Sequence, residues 1–322
     1  GASRGIGKGI ALELGKAGAT VYVTGTSSQQ KNFSTDSKAG GTVEETANLI
    51  TETTAGKGVP FICDHSDDEQ VKALFDTIRR DEGRLDVLIN NAFRIPPNGA
   101  RGLFKNFWDE GSIEAWDAMH SVGLRSHYVA SAMAVPLMLE SPPCPNGNAP
   151  MIGMISSFGG LTYTFNVAYG VGKAGVDRLA KDMAQELKKK GITVCSFWPG
   201  VVMTERMGIV VDSGDWDKNV GIPIDNAETP AYTGRAIVAV ASDENKMSKT
   251  GNYHVVAELA KEYGFTDENG TQPPSIRSLK FLVPAYMLDE ETAKKVPDEL
   301  IPDWKLPFWL MAGGRPDDDA KI

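Results

Sequence analysis

Short apolar runs recur along the chain, separated by longer amphipathic stretches, and their order predicts alternating strands and helices. Thr20-Val-Tyr-Val-Thr24 reads as a strand ending at Gly25, and Val59 to Cys63 as the next. Leu85-Asp-Val-Leu-Ile-Asn90, Met151 to Ile155, Ile192 to Phe197 and Asn252 to Val256 follow. Leu85 to Asn90 reads as a short buried strand of the parallel-sheet kind. Helices are predicted over Gly5 to Gly18, over Ile113 to Leu139, and from about Tyr169 to Lys190. Pro136 is expected to bend or end the second of these. Thr42-Val-Glu-Glu45 and Ser66-Asp-Asp-Glu69 read as capping boxes opening two more. Thr229-Pro230 supplies an N-cap followed by proline at the first helical position. The pattern is that of an α/β protein with a doubly wound parallel sheet.

Between the elements lie polar residues 26 to 41, a Pro-, Gly- and aromatic-rich stretch from 94 to 111, and a Pro/Asn/Gly-rich stretch from 141 to 150, all read as loops. Residues 265 to 322 are proline-rich with scattered aromatics and show no second domain. The expected organisation is one domain over 1 to 264 and a C-terminal extension over 265 to 322.

Composition narrows the function classes. A net charge of −9 argues against a nucleic-acid partner, because phosphate binding needs a basic face. No apolar run approaches the roughly 20 residues of a membrane-spanning helix. Cys63, Cys144 and Cys195 are far apart and odd in number, which suits a reducing compartment. The expected location is therefore intracellular, in the cytoplasm or at the endoplasmic reticulum surface. Neither the cysteines nor the four histidines show metal-ligand spacing, so no metal site is expected.

The candidate chemistry begins with Gly1-Ala-Ser-Arg-Gly5-Ile-Gly7. A glycine-rich turn lets the backbone approach a pyrophosphate, and the helix behind it offers free amides and a positive dipole end. A helix follows at once and a strand starts at Thr20, the context of a Rossmann-like dinucleotide site. Such a turn follows a strand, and Gly1 is already its first glycine, so the first strand is expected to be missing from this sequence. Thr24-Gly-Thr-Ser-Ser28 has no acidic residue for a ribose 2′-hydroxyl, whereas Arg4 could pair with a 2′-phosphate. NADP is therefore expected, with NAD as the alternative.

Tyr169 and Lys173 lie one helical turn apart, about a dozen residues after Ser156-Ser157. A phenol with a pKa near ~10 is a poor acid–base at neutral pH. The lysine ammonium is expected to favour the phenolate and lower that pKa. Ser157 can donate a hydrogen bond to a carbonyl oxygen as charge develops there. Ser156 remains the alternative, because 12 residues is a short interval between Ser157 and Tyr169.

In order along the chain, the glycine turn, Asp64, Asn90-Asn91-Ala92, Ser156-Ser157, Tyr169-x3-Lys173 and Pro199-Gly200 with Thr204 resemble the classical short-chain dehydrogenase/reductase family. The resemblance covers residues 1 to about 260 and implies a seven-stranded doubly wound sheet, here without its central first strand. It implies catalysis by Ser157, Tyr169 and Lys173. It implies a cofactor site of Gly1, Ser3, Arg4, Gly5, Ile6, Gly7, Asp64, Asn91, Tyr169, Lys173, Pro199, Gly200, Val202 and Thr204. Asp64 would contact the adenine, Lys173 also the nicotinamide ribose, and Val202 and Thr204 the carboxamide. Two departures stand out. Phe93 follows Ala92 where the family has glycine, and Gly123 stands where a fourth catalytic residue, an asparagine, is usual. In the family that asparagine's backbone carbonyl holds a relay water, so a glycine could keep the role without the bracing side chain.

Val122-Gly-Leu-Arg125, Phe165-Asn-Val, Phe197-Trp-Pro-Gly200 and Leu259-Ala-Lys-Glu-Tyr-Gly264 are similar to one branch of the family, associated with NADPH-dependent reduction of carbonyls on steroids and xenobiotics. That branch carries an arginine where Thr26 stands here, which leaves the cofactor preference to Arg4. Residues 205 to 226 would form a substrate flap. With Phe93, Phe104, Phe107 and Trp108, the flap's Met207, Ile209, Val210, Val211, Trp216 and Ile222 suggest an apolar pocket for a small hydrophobic carbonyl or alcohol. The same residues would equally serve as core or as contacts in a homo-oligomer. Leu279 to Met287 and Leu306 to Met311 could cap the pocket, meet a second subunit or touch a membrane surface. The final Ala320-Lys-Ile322 loosely matches a peroxisomal address, an alternative location. Against the oxidoreductase stands a nucleotide-binding sensor or scaffold without catalysis, which Phe93 and Gly123 would favour.

Overall fold

The computed structural model describes residues 1–29, 39–96, 99–144, 147–220, 222, 224, 227–288 and 290–312. Most of the polar loop from 26 to 41 and the final Ala320-Lys-Ile322 therefore lie outside the described residues.

Among the described residues, six strands form two parallel sheets. β1 (Thr20–Gly25) pairs with β2 (Lys57–Ile62). β3 (Val87–Asn90), β4 (Met151–Ile155), β5 (Thr193–Trp198) and β6 (Tyr253–Val255) follow one another in the second sheet. The N-terminal residues sit between the two. The Ala2 amide donates to Thr24 O on β1 at 2.7 Å, and Asn91 Nδ2, just past β3, donates to Gly1 O at 2.6 Å.

The helices among the described residues include α1 (Gly5–Lys16), α2 (Val43–Thr53), α3 (Asp68–Glu82), α4 (Ser112–His120), α5 (Ser126–Glu140), α6 (Val167–Leu187), α7 (Glu205–Asp212), α8 (Asp215–Asn219), α9 (Pro230–Ser242), α10 (Val256–Tyr263) and α11 (Leu279–Tyr286). One core cluster, including Val71, Leu137, Ile152, Val176 and Val194, joins α3, α5 and α6 to one face of the larger sheet. A second, including Ile10, Phe197, Trp198, Tyr232, Ile237 and Val256, joins α1, α9 and α10 to the other. β4 and β5 are buried along their whole length, which accounts for the unbroken apolar run of β4, while β5 keeps a buried Ser196 whose hydroxyl donates to Asp177.

Three local expectations are corrected. Thr42 and Glu45 do form a capping box, but α3 is capped by Asp67 rather than Ser66. The Asp67 carboxylate accepts from the Glu69 and Gln70 amides, while the Ser66 hydroxyl donates to Asp64 instead. The break in the long helix falls at Gly123 and not at Pro136, which lies inside α5. Thr229 precedes Pro230 as expected, but its hydroxyl donates to Asp267 Oδ1 at 2.6 Å rather than capping α9.

The tail returns to this body. Phe308 packs edge-on against Trp198 and Tyr253, with the Arg277 guanidinium 4.1 Å from its ring centre. Arg277 is held in turn by the Glu258 carboxylate. No helix among the described residues is long and apolar enough to cross a membrane.

Candidate active site

The glycine turn is folded tightly on itself. A Cβ on Gly7 would stand 2.0 Å from Gly1 O and 2.5 Å from Asn91 Nδ2, so only glycine fits. Gly5, at φ +57°, opens α1. Its amide donates to Glu205 Oε2 at 2.8 Å. A carboxylate thus stands at the helix N-terminus, where an anion is favoured. Ser3 is buried in the turn, and Ile6 packs against the second core cluster. Arg4 Nη2 donates to Ser27 Oγ at 2.6 Å and to Gly41 O at 3.1 Å, which sets the guanidinium beside the residues that follow β1.

Asp64 lies just past β2, accepting from the Ser66 amide and hydroxyl and from Arg94 Nη2 at 2.8 Å. Burial opposes its ionisation, but these bonds outweigh it and hold the carboxyl below its ordinary range.

On the other side of the strand ends, Tyr169 OH donates to Ser157 Oγ at 3.0 Å. The Asn166 side chain caps α6 by accepting from the Tyr169 amide at 2.9 Å, which fixes where that helix begins. Ser157 also accepts from the Gly159 amide, so its oxygen is held from two sides. Ser156 faces away, buried, with its hydroxyl on Lys173 O at 3.1 Å. The geometry therefore brings Ser157, and not Ser156, to the phenol.

Lys173 Nζ donates to Ile155 O at 3.1 Å and lies 5.8 Å from the centre of the Tyr169 ring. The expected lowering of the phenol pKa is not found. Burial pushes Tyr169 up to about 12, against the pull of the Ser157 bond. Burial also lowers Lys173 to about 8, with Asp177 opposing. In so dry a site desolvation of both groups dominates their mutual influence.

Gly123 forms the kink between α4 and α5 at φ +146°, a conformation closed to ordinary side chains. The Phe93 ring fills the space beside it, with Cδ2 2.8 Å from where a Cβ on Gly123 would be. The same ring lies edge-on to Tyr169 at 6.0 Å. Phe165 meets Tyr169 from another side at 5.0 Å, and carries a positive φ of 61°.

After β5 the chain runs through Pro199 and Gly200. Beneath this loop lies a residue that sequence reasoning missed, Glu228. Its backbone pairs with Val201 and Met203, and its buried carboxylate would meet a Cβ on Gly200 at 2.8 Å. Val202 forms a β-bridge with Glu228, and Thr204 caps α7 by accepting from the Met207 amide. Thr204 and Gly5 are close, so the loop and the phosphate turn face each other. Glu205, also missed, closes the gap. Its position directly after the expected Thr204 was the only available signal.

The expected apolar pocket is assembled differently. Trp216 is buried and donates to Ile222 O at 2.8 Å, so these two form the flap's own core. Phe107 and Trp108 are exposed. A cleft of about 340 Å³ lies beside the start of α6, lined by Phe107, Ile113, Trp116, Val167 and Ala168 among others. The described residues contain no cluster of three or more metal-ligating side chains.

Comparison with known proteins completes the picture. Residues 1–257 match the family model described as enoyl-(acyl carrier protein) reductase. The chain belongs to the short-chain dehydrogenase/reductase family. It is 37% identical over 318 residues to dehydrogenase/reductase SDR family member 1 of Mus musculus, covering 97% of this chain and 94% of the relative. The Homo sapiens protein of the same name matches at the same identity and coverage. Among solved structures, a putative dehydrogenase from Xanthomonas campestris superposes with a TM-score of 0.65 at 23% identity, covering 84% of this chain and 90% of that one. A 3-oxoacyl-[acyl-carrier protein] reductase from Brucella melitensis, in complex with NAD, gives 0.63 at 21%, covering 80% and 92%. At such identities the structures show the fold alone. This short-chain dehydrogenase/reductase is thus an oxidoreductase with an NAD(P)-binding Rossmann fold.

Proposed function

We propose that this oxidoreductase uses NADPH to reduce a carbonyl on a small hydrophobic molecule, with Tyr169 as the proton donor. The observation that carries the reading is the 3.0 Å bond between Tyr169 OH and Ser157 Oγ, with Lys173 one turn away on the same helix. The turn suits a dinucleotide, since Gly7 leaves no room for a side chain and the Gly5 amide already binds an anionic group. Bound NADPH supplies the hydride that reaches the carbonyl carbon.

The protein's own residues handle the proton and the charge. Ser157 donates to the substrate oxygen as negative charge grows there. Tyr169 gives its proton to that oxygen, and the product is the alcohol. The Lys173 ammonium offsets the phenolate left behind. Gly1, Ser3, Arg4, Gly5, Ile6 and Gly7 would hold the phosphates, with Arg4 on the 2′-phosphate and Asp64 and Asn91 toward the adenosine side. Pro199, Gly200, Val202 and Thr204 would face the carboxamide. The aromatic surround of Tyr169 and the apolar cleft beside α6 support a hydrophobic substrate over a polar one. The 37% identity to relatives named as dehydrogenase/reductases adds to this reading.

The deciding assay follows NADPH oxidation with a panel of hydrophobic ketones and aldehydes, comparing the unmodified protein with Tyr169→Phe. A fall in kcat of about 10²–10⁴ with NADPH affinity kept is the expected result for loss of a general acid. If both proteins bind NADPH and neither oxidises it, the nucleotide-binding sensor is the better description.

A further inference from the structure

We propose that Phe93 is a positioning residue that replaces the side chain absent at Gly123 and holds the Lys173 ammonium and the Tyr169 ring in working geometry. The inference rests on the reading of Tyr169 and Lys173 as catalytic residues.

Three contacts converge on this ring. It occupies the volume that any side chain at Gly123 would enter. It meets the Tyr169 ring edge-on at 6.0 Å and an interplanar angle of 84°. Lys173 Nζ lies over it, 5.0 Å from its centre. Its own backbone neighbourhood is fastened on both sides, since Arg94 N donates to Val122 O at 2.9 Å and His127 Nε2 meets Ala92 O at 3.1 Å. The segment carrying Phe93 and the kink carrying Gly123 are therefore clamped together.

The chemistry of a phenyl ring differs from that of an amide in one useful way. Its negative face attracts a cation, and the attraction strengthens where water is excluded. Around Lys173 the other groups are Ile155 O, the Asp177 carboxylate, the Tyr169 phenol and the buried His127 imidazole. Asp177 favours the ammonium, whereas burial opposes it. Phe93 adds to the side of Asp177, while its bulk keeps the Tyr169 ring from swinging toward the kink. The two departures from the family pattern are thus one exchange: the ring at 93 needs the glycine at 123.

The test uses the full chain with Phe93→Leu, Phe93→Met and Phe93→Tyr. Lysine labelled with ¹³C at Cε gives an activity-independent readout, with the Lys173 resonance assigned by its loss in Lys173→Met. In the unmodified protein that resonance is displaced by the ring current of Phe93. In Phe93→Leu we expect the displacement to vanish and the Lys173 titration midpoint to fall by about one pH unit, given a cation–ring attraction of about 0.5–2 kcal/mol. Turnover falls about tenfold with the KM for NADPH within about twofold, as for a group acting on the transition state. Phe93→Tyr restores both. Phe93→Met answers the same questions if the leucine variant does not fold. An unchanged Lys173 titration overturns the proposal, even if turnover drops, because the ring would then serve packing alone. If Tyr169→Phe turns over normally, the catalytic reading fails while the resonance still reports on Phe93.

Discussion

The Glu205 carboxylate accepts a hydrogen bond from the Gly5 amide at 2.8 Å, joining two residues 200 positions apart. It places the first residue of α7 on the amide that opens α1. On the proposed reading a pyrophosphate at the turn would use the same amide, so carboxylate and cofactor would compete for it. Glu205→Gln should therefore bind NADPH about two- to fivefold tighter, the range for an anion at a helix N-terminus. Isothermal titration at low salt measures this directly. Weaker binding by the variant would mean that Glu205 assists the cofactor instead.

Arg4 is the second residue whose removal should change cofactor binding. Its guanidinium already spans Ser27 Oγ and Gly41 O, beside the end of β1. Arg4→Ala is expected to weaken NADPH binding by about 1.5–3 kcal/mol, the value of a hydrogen bond to a charged group, and NADH binding by less. Fluorescence titration with both nucleotides gives the comparison. Equal losses for the two would remove the 2′-phosphate from the account.

Lys173 sets a pH limit. Its ammonium is lowered by burial to about 8, so the charged form is present below that pH and disappears above it. Tyr169, at about 12, stays protonated throughout the same range. The kcat/KM for ketone reduction should be flat on the acid side and fall as the pH passes about 8, since this profile reports the free enzyme. A profile that stays level to about pH 9.5 would show that the lysine charge is dispensable.

Glu228 gives a prediction about stability. Burial raises its carboxyl from an ordinary value of 4.5 to about 8, against the bond from the Gly200 backbone, and its Oε2 has no hydrogen-bond partner among the described residues. The folded state thus binds this proton more tightly than the unfolded chain does. The favourable contribution is complete below pH 4.5 and is lost as pH rises through about 8. Glu228→Gln removes the penalty at high pH. Its Tm should exceed that of the unmodified protein by roughly 5 °C at pH 9 and differ little at pH 4.5. Equal melting curves at both pH values would refute the assignment.

These residues also show where the sequence could be read and where it could not. The runs at Met151–Ile155 and Ile192–Phe197 were legible as strands, because short and mainly apolar runs between amphipathic stretches are what a sheet covered on both faces requires. Thr42 and Glu45 announced a helix start, because both bonds of a capping box are local. Asp67 was passed over for Ser66 because the choice of cap depends on which side chain Asp64 draws away. Glu205 and Glu228 gave no signal of their own, since their partners are Gly5 and the Val201–Met203 loop, and only folding brings these together. Tyr169 and Lys173 were legible as a spacing, but the direction of their pKa shifts was not. Spacing reports proximity, whereas the depth of burial depends on Phe93, Phe165 and the whole layer above them.

One turn beyond Lys173 on α6, Asp177 accepts from Ser196 Oγ at 2.5 Å and from Trp198 Nε1 at 3.0 Å, both on β5. The three residues act as a key and lock between helix and sheet. Sliding α6 by one turn would strand a buried carboxylate among apolar neighbours, so the helix has one permitted register. Tyr169 and Lys173 inherit that register. The pair is therefore indexed from β5, and the loops around it could be rebuilt without moving the phenol.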